Sequence, residues 1–222
     1  MTRLCVFRAA MAALALATTG TALAGGDEVS TVNRSITVSA GEHRGDLSTV
    51  NGSVHVGENA VVGEARTVNG SITLEAHAAA AEVKTVNGSV RLDDGARASG
   101  PVRTVNGSLT LASGADVAGA LANVNGSIRV NAAHVGGDVG TVTGSIEIGP
   151  DARVDGGVIV HEGHSSDHGS RSPQRIVIGP RSVVKGTLKF ERPVELYVSD
   201  RATIGPVEGA TAIKFSGDHP PG

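Results

Sequence analysis

The chain has 222 residues, with 19 basic and 22 acidic side chains for a net charge of −3, and 2% of its residues are aromatic. A weakly acidic chain without a basic cluster argues against a nucleic-acid-binding protein. The single cysteine, Cys5, lies in the first segment, so neither an intramolecular disulfide nor a thiolate metal site is expected.

The first 24 residues have the pattern of a secretory signal peptide. Arg3 and Arg8 form a positive n-region, residues 9–17 are apolar, and residues 22–24 (Ala-Leu-Ala) are a small-residue cleavage site. The apolar run is shorter than the ~20 residues that a membrane-spanning helix needs, so cleavage near Ala24 is expected instead of anchoring. The sequence therefore predicts an exported protein, periplasmic or extracellular, that is soluble and has no membrane span.

One short phrase, Thr-Val-Asn-Gly-Ser, recurs with small changes between residues 31 and 145 at steps of 18 or 19 residues. Its seven copies begin at Thr31, Thr49, Thr67, Thr85, Thr104, Asn123 and Thr141. A fixed period in this range indicates a repeat protein, in which one small unit stacks on copies of itself.

Each repeat is too short for a helix pair, and its apolar residues alternate with polar ones, as in strands with one buried face. Three short strands per repeat, with Gly or Asn-Gly at bends that tolerate positive φ, predict an all-β fold. The architecture is a single-stranded, triangular β-solenoid (β-helix) with about 18 residues per rung, a rung being one turn of the solenoid, and roughly ten rungs. Right-handed winding is the default for parallel crossovers; a left-handed hexapeptide helix is the alternative, and hairpins do not explain the period.

Stacked rungs place equivalent residues in columns ~4.8 Å apart. We expect two inner columns, Val50, Val68, Val86 and Val105, and Ile72, Val90, Leu109 and Ile128. Outward columns are expected at Thr49, Thr67, Thr85 and Thr104, and at Thr37, His55, Thr73, Arg91, Thr110, Arg129 and Glu147. A side-chain amide ladder is expected at Asn33, Asn51, Asn69, Asn87, Asn106 and Asn125. The mixed charges of the second outward column argue against an ice-binding plane.

The repeat region, residues 25–159, is followed by a polar, His-rich insertion at residues 160–174. His161, His164 and His168 are weak candidates for metal ligands, because imidazole is a common ligand but their spacing matches no standard zinc signature. We expect no cofactor.

Rungs resume at residues 175–215, and residues 216–222 are expected to be a disordered tail. This part contains Phe190, Tyr197 and Phe215, the aromatic residues that follow the signal peptide. The departure from the repeat favours a cap that blocks edge-to-edge growth; the alternative is a surface for polymerisation or for a partner.

The repeated Thr-Val-Asn-Gly-Ser followed by apolar-x-apolar resembles a bacterial family of β-solenoid domains that are described as adhesins and whose function is unknown. The resemblance covers residues 30–150. The later segments Ile178-Gly179-Pro180 and Val183-Val184-Lys185-Gly186 are more loosely similar to the bactofilins, which are polymer-forming scaffolds. These resemblances imply a right-handed β-solenoid with a structural or surface role and no catalytic residues; the signal peptide departs from typical bactofilins.

The leading functional prediction is a non-enzymatic, adhesin-like rod that presents a repetitive Thr/Asn surface, where many weak contacts add by avidity. Its partner is an unidentified ligand of the cell envelope or surface, with self-association as an alternative. A bactofilin-like scaffold is the second reading and a polysaccharide-active β-helix enzyme the third, because Asp151 and Asp155 are the nearest approach to paired carboxylates.

Overall fold

The computed structural model describes residues 27–163 and 173–220, and these residues form strands, turns and bends without a helix. The first thirteen strands are β1 (Val29–Thr31), β2 (Ile36–Val38), β3 (Leu47–Asn51), β4 (Val54–Val56), β5 (Val61–Asn69), β6 (Ile72–Leu74), β7 (Ala79–Asn87), β8 (Val90–Leu92), β9 (Arg97–Ala98), β10 (Val102–Arg103), β11 (Leu109–Leu111), β12 (Asp116–Val117) and β13 (Leu121–Ala122). The next thirteen are β14 (Ile128–Val130), β15 (His134–Val135), β16 (Val139–Thr141), β17 (Ile146–Ile148), β18 (Arg153–Val154), β19 (Val158–Val160), β20 (Gln174–Ile178), β21 (Val183–Val184), β22 (Leu188–Phe190), β23 (Val194–Ser199), β24 (Thr203–Ile204), β25 (Val207–Glu208) and β26 (Ala212–Phe215).

The strands stack in parallel into three faces, and β1 and β3 begin face three. Face one is a ten-stranded sheet in the order β2-β4-β6-β8-β11-β14-β17-β20-β23-β26. Face two contains β9, β12, β15, β18, β21 and β24, and face three contains β10, β13, β16, β19, β22 and β25. The long strands β5 and β7 run through both of these faces, and β7 pairs with β9 at one end and with β10 at the other.

This arrangement confirms the predicted all-β solenoid of about ten rungs with the repeat spacing of the sequence. At ~4.8 Å per rung the rod is about 45 Å long. Right-handed winding stays a prediction.

The core is a narrow column of small aliphatic side chains. On face one, Ile72, Val90, Leu109 and Ile128 align in register and are at most 1% exposed, so this predicted inner column is confirmed. Face three contributes a second inner column that includes Val83, Val102, Leu121 and Val139, all fully buried. The outward column from Thr37 to Glu147 is also in the predicted register.

Eight of the eleven positive-φ residues in the described part of the chain gather at one bend, between faces one and two. This column contains Gly41, Asn59, His77, Gly95, Gly114, Ala132, Asp151 and Arg181, all with φ between 44° and 70°. Five of the eight carry a side chain, although glycine adopts this conformation without steric cost.

The rungs continue across the insertion with a longer step. Strand β17 pairs with β20 through Ile146 and Ile176, which are 30 residues apart instead of 18 or 19. The strand resumes at Gln174, one residue before the predicted start. Phe190 and Phe215 are buried, and the Arg175 guanidinium lies 4.8 Å from the centre of the Tyr197 ring.

The last rung differs from the others at a core position. Lys214 of β26 aligns with Val198, Ile178 and Ile148, which are fully buried, yet Lys214 itself is exposed. Gly217 and Asp218 of the predicted tail accept hydrogen bonds from Arg201.

Candidate binding surface

The corner between faces three and one is where Thr-Val-Asn-Gly-Ser recurs, and its threonines point inward. Thr49, Thr67, Thr85 and Thr104 are at most 4% exposed. Each threonine Oγ1 donates a hydrogen bond of 2.8–3.0 Å to a carbonyl oxygen of the preceding corner, as in Thr85 to Gly70. The predicted outward threonine column is therefore wrong: the hydroxyl can be buried because it satisfies the bend of the rung before it.

The valines of the same phrase point outward, so the predicted inner column of Val50, Val68, Val86 and Val105 is also wrong. Val86 is 39% exposed, Val105 38% and Val32 60%. The phase of each strand is fixed by the core residue two positions before the threonine, for example Val83, and strict alternation then turns the valine toward solvent. One column of hydrophobic side chains thus runs along the outside of the rod.

The six asparagines form one continuous amide ladder beside these valines. Each Nδ2 donates to the Oδ1 of the preceding rung at 2.8–2.9 Å, from Asn51 to Asn33 at one end and from Asn125 to Asn106 at the other. Each amide retains a second N–H and a second lone pair on the exposed side, since an amide has two of each.

The corner glycines are required by close approach of the chain to itself. A Cβ atom at Gly88 would clash with the Gly70 carbonyl oxygen, and one at Gly107 with that of Gly88. Positive φ was the expected reason for glycine here, but among the glycines of the repeated phrase only Gly126, with φ 122°, adopts it.

The ladder ends in the seventh copy of the phrase, and the sixth and seventh copies each depart from the earlier ones. Asn123 replaces the inward threonine and donates to the Gly107 carbonyl at 3.2 Å, while its Oδ1 is buried without a hydrogen-bond partner. Thr143 replaces asparagine, and its hydroxyl contacts Asn125 Oδ1. The repeated surface is therefore finite.

We call the outward valines and the ladder asparagines together the corner strip. Its members are Val32, Val50, Val68, Val86, Val105, Val124, Val142, Asn33, Asn51, Asn69, Asn87, Asn106 and Asn125. Over six steps of ~4.8 Å it is about 29 Å long.

A basic column borders the valines on the side away from the asparagines. Arg66, Lys84 and Arg103 are aligned in register, two residues before the valines of their rungs, and are part-exposed. Arg66 Nη2 lies 2.5 Å from Glu64 Oε1, and Lys84 Nζ lies 2.6 Å from Glu82 Oε1. The strip itself contains no charged side chain, and its border is polar.

Of the three histidine candidates for metal binding, only His161 lies in the described part of the chain. His161 Nδ1 lies 3.6 Å from a carboxylate oxygen of Glu191, whose pKa is lowered mainly by its hydrogen bond from Lys189. His164 and His168 lie outside the described residues. Within residues 27–163 and 173–220, no group of three or more His, Cys, Asp or Glu side chains is placed to hold a metal ion.

The two aspartates considered for catalysis are each held by cations. Asp151 accepts two hydrogen bonds from Arg181, at 2.6 and 2.7 Å, which lower its pKa. Asp155 lies 2.9 Å from Lys185, and this contact, with that to His134, lowers its pKa to about 2. Neither is poised as a general acid near neutral pH, because that role needs a raised pKa.

His134 belongs to a charge cluster on face two that the sequence interpretation missed. Its Nδ1 lies 2.6 Å from Asp116 and its Nε2 3.2 Å from Asp155, on the rungs before and after it. The Asp116 contact is the main reason that the pKa of His134 is raised. The period alone aligns Asp116 with His134, so stacking the repeats in register would have found this pair.

An open depression of about 430 Å³ lies at the bend between faces one and two. It is lined by Glu58, Glu75, Ala76, Arg91, Asp93 and Asp94. Two of its carboxylates are already paired, Glu75 with His55 at 2.8 Å and Asp93 with Arg91 at 2.5 Å. Two of its four carboxylates are thus paired, and the depression is open, so the corner strip is the more distinctive site.

No protein-family model, curated protein or solved structure matches the chain. In the described residues, no helix is long and apolar enough to cross a membrane.

Proposed function

We propose that this protein is a non-enzymatic, exported rod that acts in the cell envelope or at the cell surface by binding through the corner strip. The observation that carries the proposal is the strip itself, seven outward-facing valines beside a hydrogen-bonded asparagine ladder on a stiff stack of rungs. Val32, Val86 and Val105 are the most exposed of the seven, and the other four are half-buried. Its mechanism is avidity: contacts that are weak singly add along a rigid array, provided that the partner spans several rungs.

The inward threonines change which groups make this surface. The binding groups are the valine methyls and the second N–H and second lone pair of each asparagine amide, not threonine hydroxyls. The paired states of Asp151 and Asp155 support a role without catalysis, and the resemblance to adhesin-like β-solenoid domains supports a surface role.

A binding experiment with matched variants tests this proposal. The chain from Gly25 onward is sedimented with purified peptidoglycan sacculi and, separately, with membrane vesicles that contain lipopolysaccharide. Val86→Lys places a charge in the middle of the strip, and Thr73→Lys places the same charge on face one. We expect binding to one of the two materials that Val86→Lys reduces at least tenfold and Thr73→Lys leaves unchanged. Binding to neither, or equal loss in both variants, refutes the proposal.

A bactofilin-like scaffold is the second candidate, since the terminal strands of each face pair on one side only. Lys214 favours a capped C-terminal end, because a further rung would bury an ammonium group at a core position without a partner. Negative-stain electron microscopy at rising concentration distinguishes the two. Filaments of the unaltered chain support the scaffold; their appearance only after Lys214→Leu supports the cap.

A further inference from the structure

We propose that the partner of the corner strip is a second copy of this chain, packed side by side with the two rods parallel. This inference rests on the proposed function, in that both assign binding to the strip. It adds the identity of the partner and the orientation of the pair.

The valines are the one residue of the repeated phrase whose side chain makes no hydrogen bond and answers no close approach within the stack. Threonine hydroxyls cap the preceding corner, asparagines form the ladder, and glycines allow close approach. In the first four copies each serine hydroxyl oxygen accepts a hydrogen bond from the serine N–H of the next rung. The valines face solvent, a position where this protein otherwise varies its side chains. The outward column of face one contains Thr, His, Arg and Glu in the same seven rungs. An apolar residue kept in all seven outward positions is what a contact surface needs.

The spacing of the strip selects a second copy. Identical side chains repeated at the spacing of β-strands are the geometry in which paired sheets form dry, interdigitated interfaces. A second rod has the same pitch, so the valines of successive rungs can be in contact at once without a mismatch that grows along the rod. A partner with a different repeat would lose register after a few rungs.

The charges beside the strip select the parallel orientation. Each strip has the basic column, Arg66, Lys84 and Arg103, on one side and the asparagine ladder on the other. A two-fold axis parallel to the rods places the basic column of one copy opposite the amide oxygens of the other. An axis across the rods would place basic column against basic column. Glu64 and Glu82 offset two of the three cations, so each column keeps an excess positive charge, and like charges facing each other are unfavourable.

The area of the strip predicts a reversible pair. A contact about 29 Å long and about 17 Å wide, from the basic column across the corner, covers roughly 500 Å² per copy, or about 1,000 Å² in total, which is near the lower limit for specific interfaces. We therefore expect a dimer with a dissociation constant of about 1–100 µM.

Sedimentation equilibrium of the chain from Gly25 measures the association, with Val86→Lys and Thr73→Lys as the matched pair. Both positions face outward, so both variants should fold; circular dichroism checks this. We expect Val86→Lys to weaken dimerisation at least tenfold and Thr73→Lys to leave it within twofold. A chain that stays monomeric at 1 mM, or a dimer that Val86→Lys leaves intact, overturns the inference.

Single cysteines test the orientation, because the chain after the predicted cleavage site contains no cysteine. In a parallel pair each rung meets its own copy, so Val50→Cys should form a disulfide-linked dimer by itself, and Thr73→Cys should not. In an antiparallel pair Val50→Cys would link instead to Val105→Cys or Val124→Cys in a mixture. Linkage only in the mixture overturns the parallel arrangement.

The two proposals fail in distinguishable ways. A monomer whose binding to sacculi or vesicles is lost in Val86→Lys refutes self-association and leaves the proposed function standing. A dimer that Val86→Lys disrupts, together with envelope binding that the variant does not affect, supports self-association and places envelope binding elsewhere on the rod.

Discussion

Exchanging the two β-branched residues of a single corner tests which of them faces the core. Thr85→Val removes the hydroxyl that donates to the Gly70 carbonyl at 2.9 Å, from a side chain that is 4% exposed. Losing a donor to a partly buried acceptor costs about 1–3 kcal/mol, and the added methyl returns about 0.8 kcal/mol. We expect a net loss of about 1 kcal/mol. Val86→Thr changes an exposed position and should cost less than about 0.5 kcal/mol.

Thermal unfolding followed by circular dichroism measures both variants under one set of conditions. For a chain of this size, a loss of 1 kcal/mol lowers the unfolding midpoint by about 2–4 °C. Thr85→Val should therefore melt measurably below the unaltered chain, and Val86→Thr within about 2 °C of it. If the valine faced the core, Val86→Thr would bury a hydroxyl and Thr85→Val would be neutral or stabilising. A lower midpoint for Val86→Thr than for Thr85→Val would refute the inward threonine.

Three further outcomes follow from the backbone and from the charge cluster. Gly88→Ala forces a Cβ against the Gly70 carbonyl oxygen and should lower the free energy of unfolding, measured in urea, by about 1–3 kcal/mol. Gly140→Ala is the control, because the nearest atom to a Cβ there is 3.8 Å away, and it should cost less. Equal costs would contradict the close approach at Gly88. Ala132→Gly relieves a residue at φ 44° and should raise stability by up to about 1 kcal/mol in the same assay; a loss would contradict this. His134 has a raised pKa in the folded chain, so its contribution to stability is complete below its ordinary pKa of about 6.5 and is lost as the pH rises through the folded value. The melting-point difference between the unaltered chain and His134→Gln should therefore shrink between pH 6 and pH 9, and a difference that is constant or grows would contradict the assignment.

The solenoid could be predicted from the sequence because the period of the repeat equals the number of residues in one rung. Equivalent residues 18 or 19 apart stack in register, so the face-one core column and the outward column from Thr37 to Glu147 follow from counting. The asparagine positions follow from the same count, and the structure joins them by hydrogen bonds of 2.8–2.9 Å.

The direction of the corner side chains could not be predicted from hydropathy. Of two adjacent β-branched residues, Thr85 and Val86, hydropathy places the valine inside. The strand phase set by Val83 places the threonine inside, and the hydroxyl then finds a carbonyl oxygen on the preceding rung. That acceptor is 15 residues away in the chain and becomes a neighbour only through stacking, so no local pattern reveals it.

This inversion changes where the hydrophobic residues of the repeat act. If the valines were in the core, their repetition would be a matter of packing and the corner would present only polar groups. Facing outward, they form an apolar stripe that begins at Val32 and stops where Thr143 ends the ladder. A surface of fixed length and fixed pitch suits a closed contact with one matching partner better than an endless lattice. The last rung also favours finite rods, because Lys214 places a charge where another rung would need a core residue. Lateral pairing of finite rods is therefore the assembly that both the side and the end of this solenoid favour.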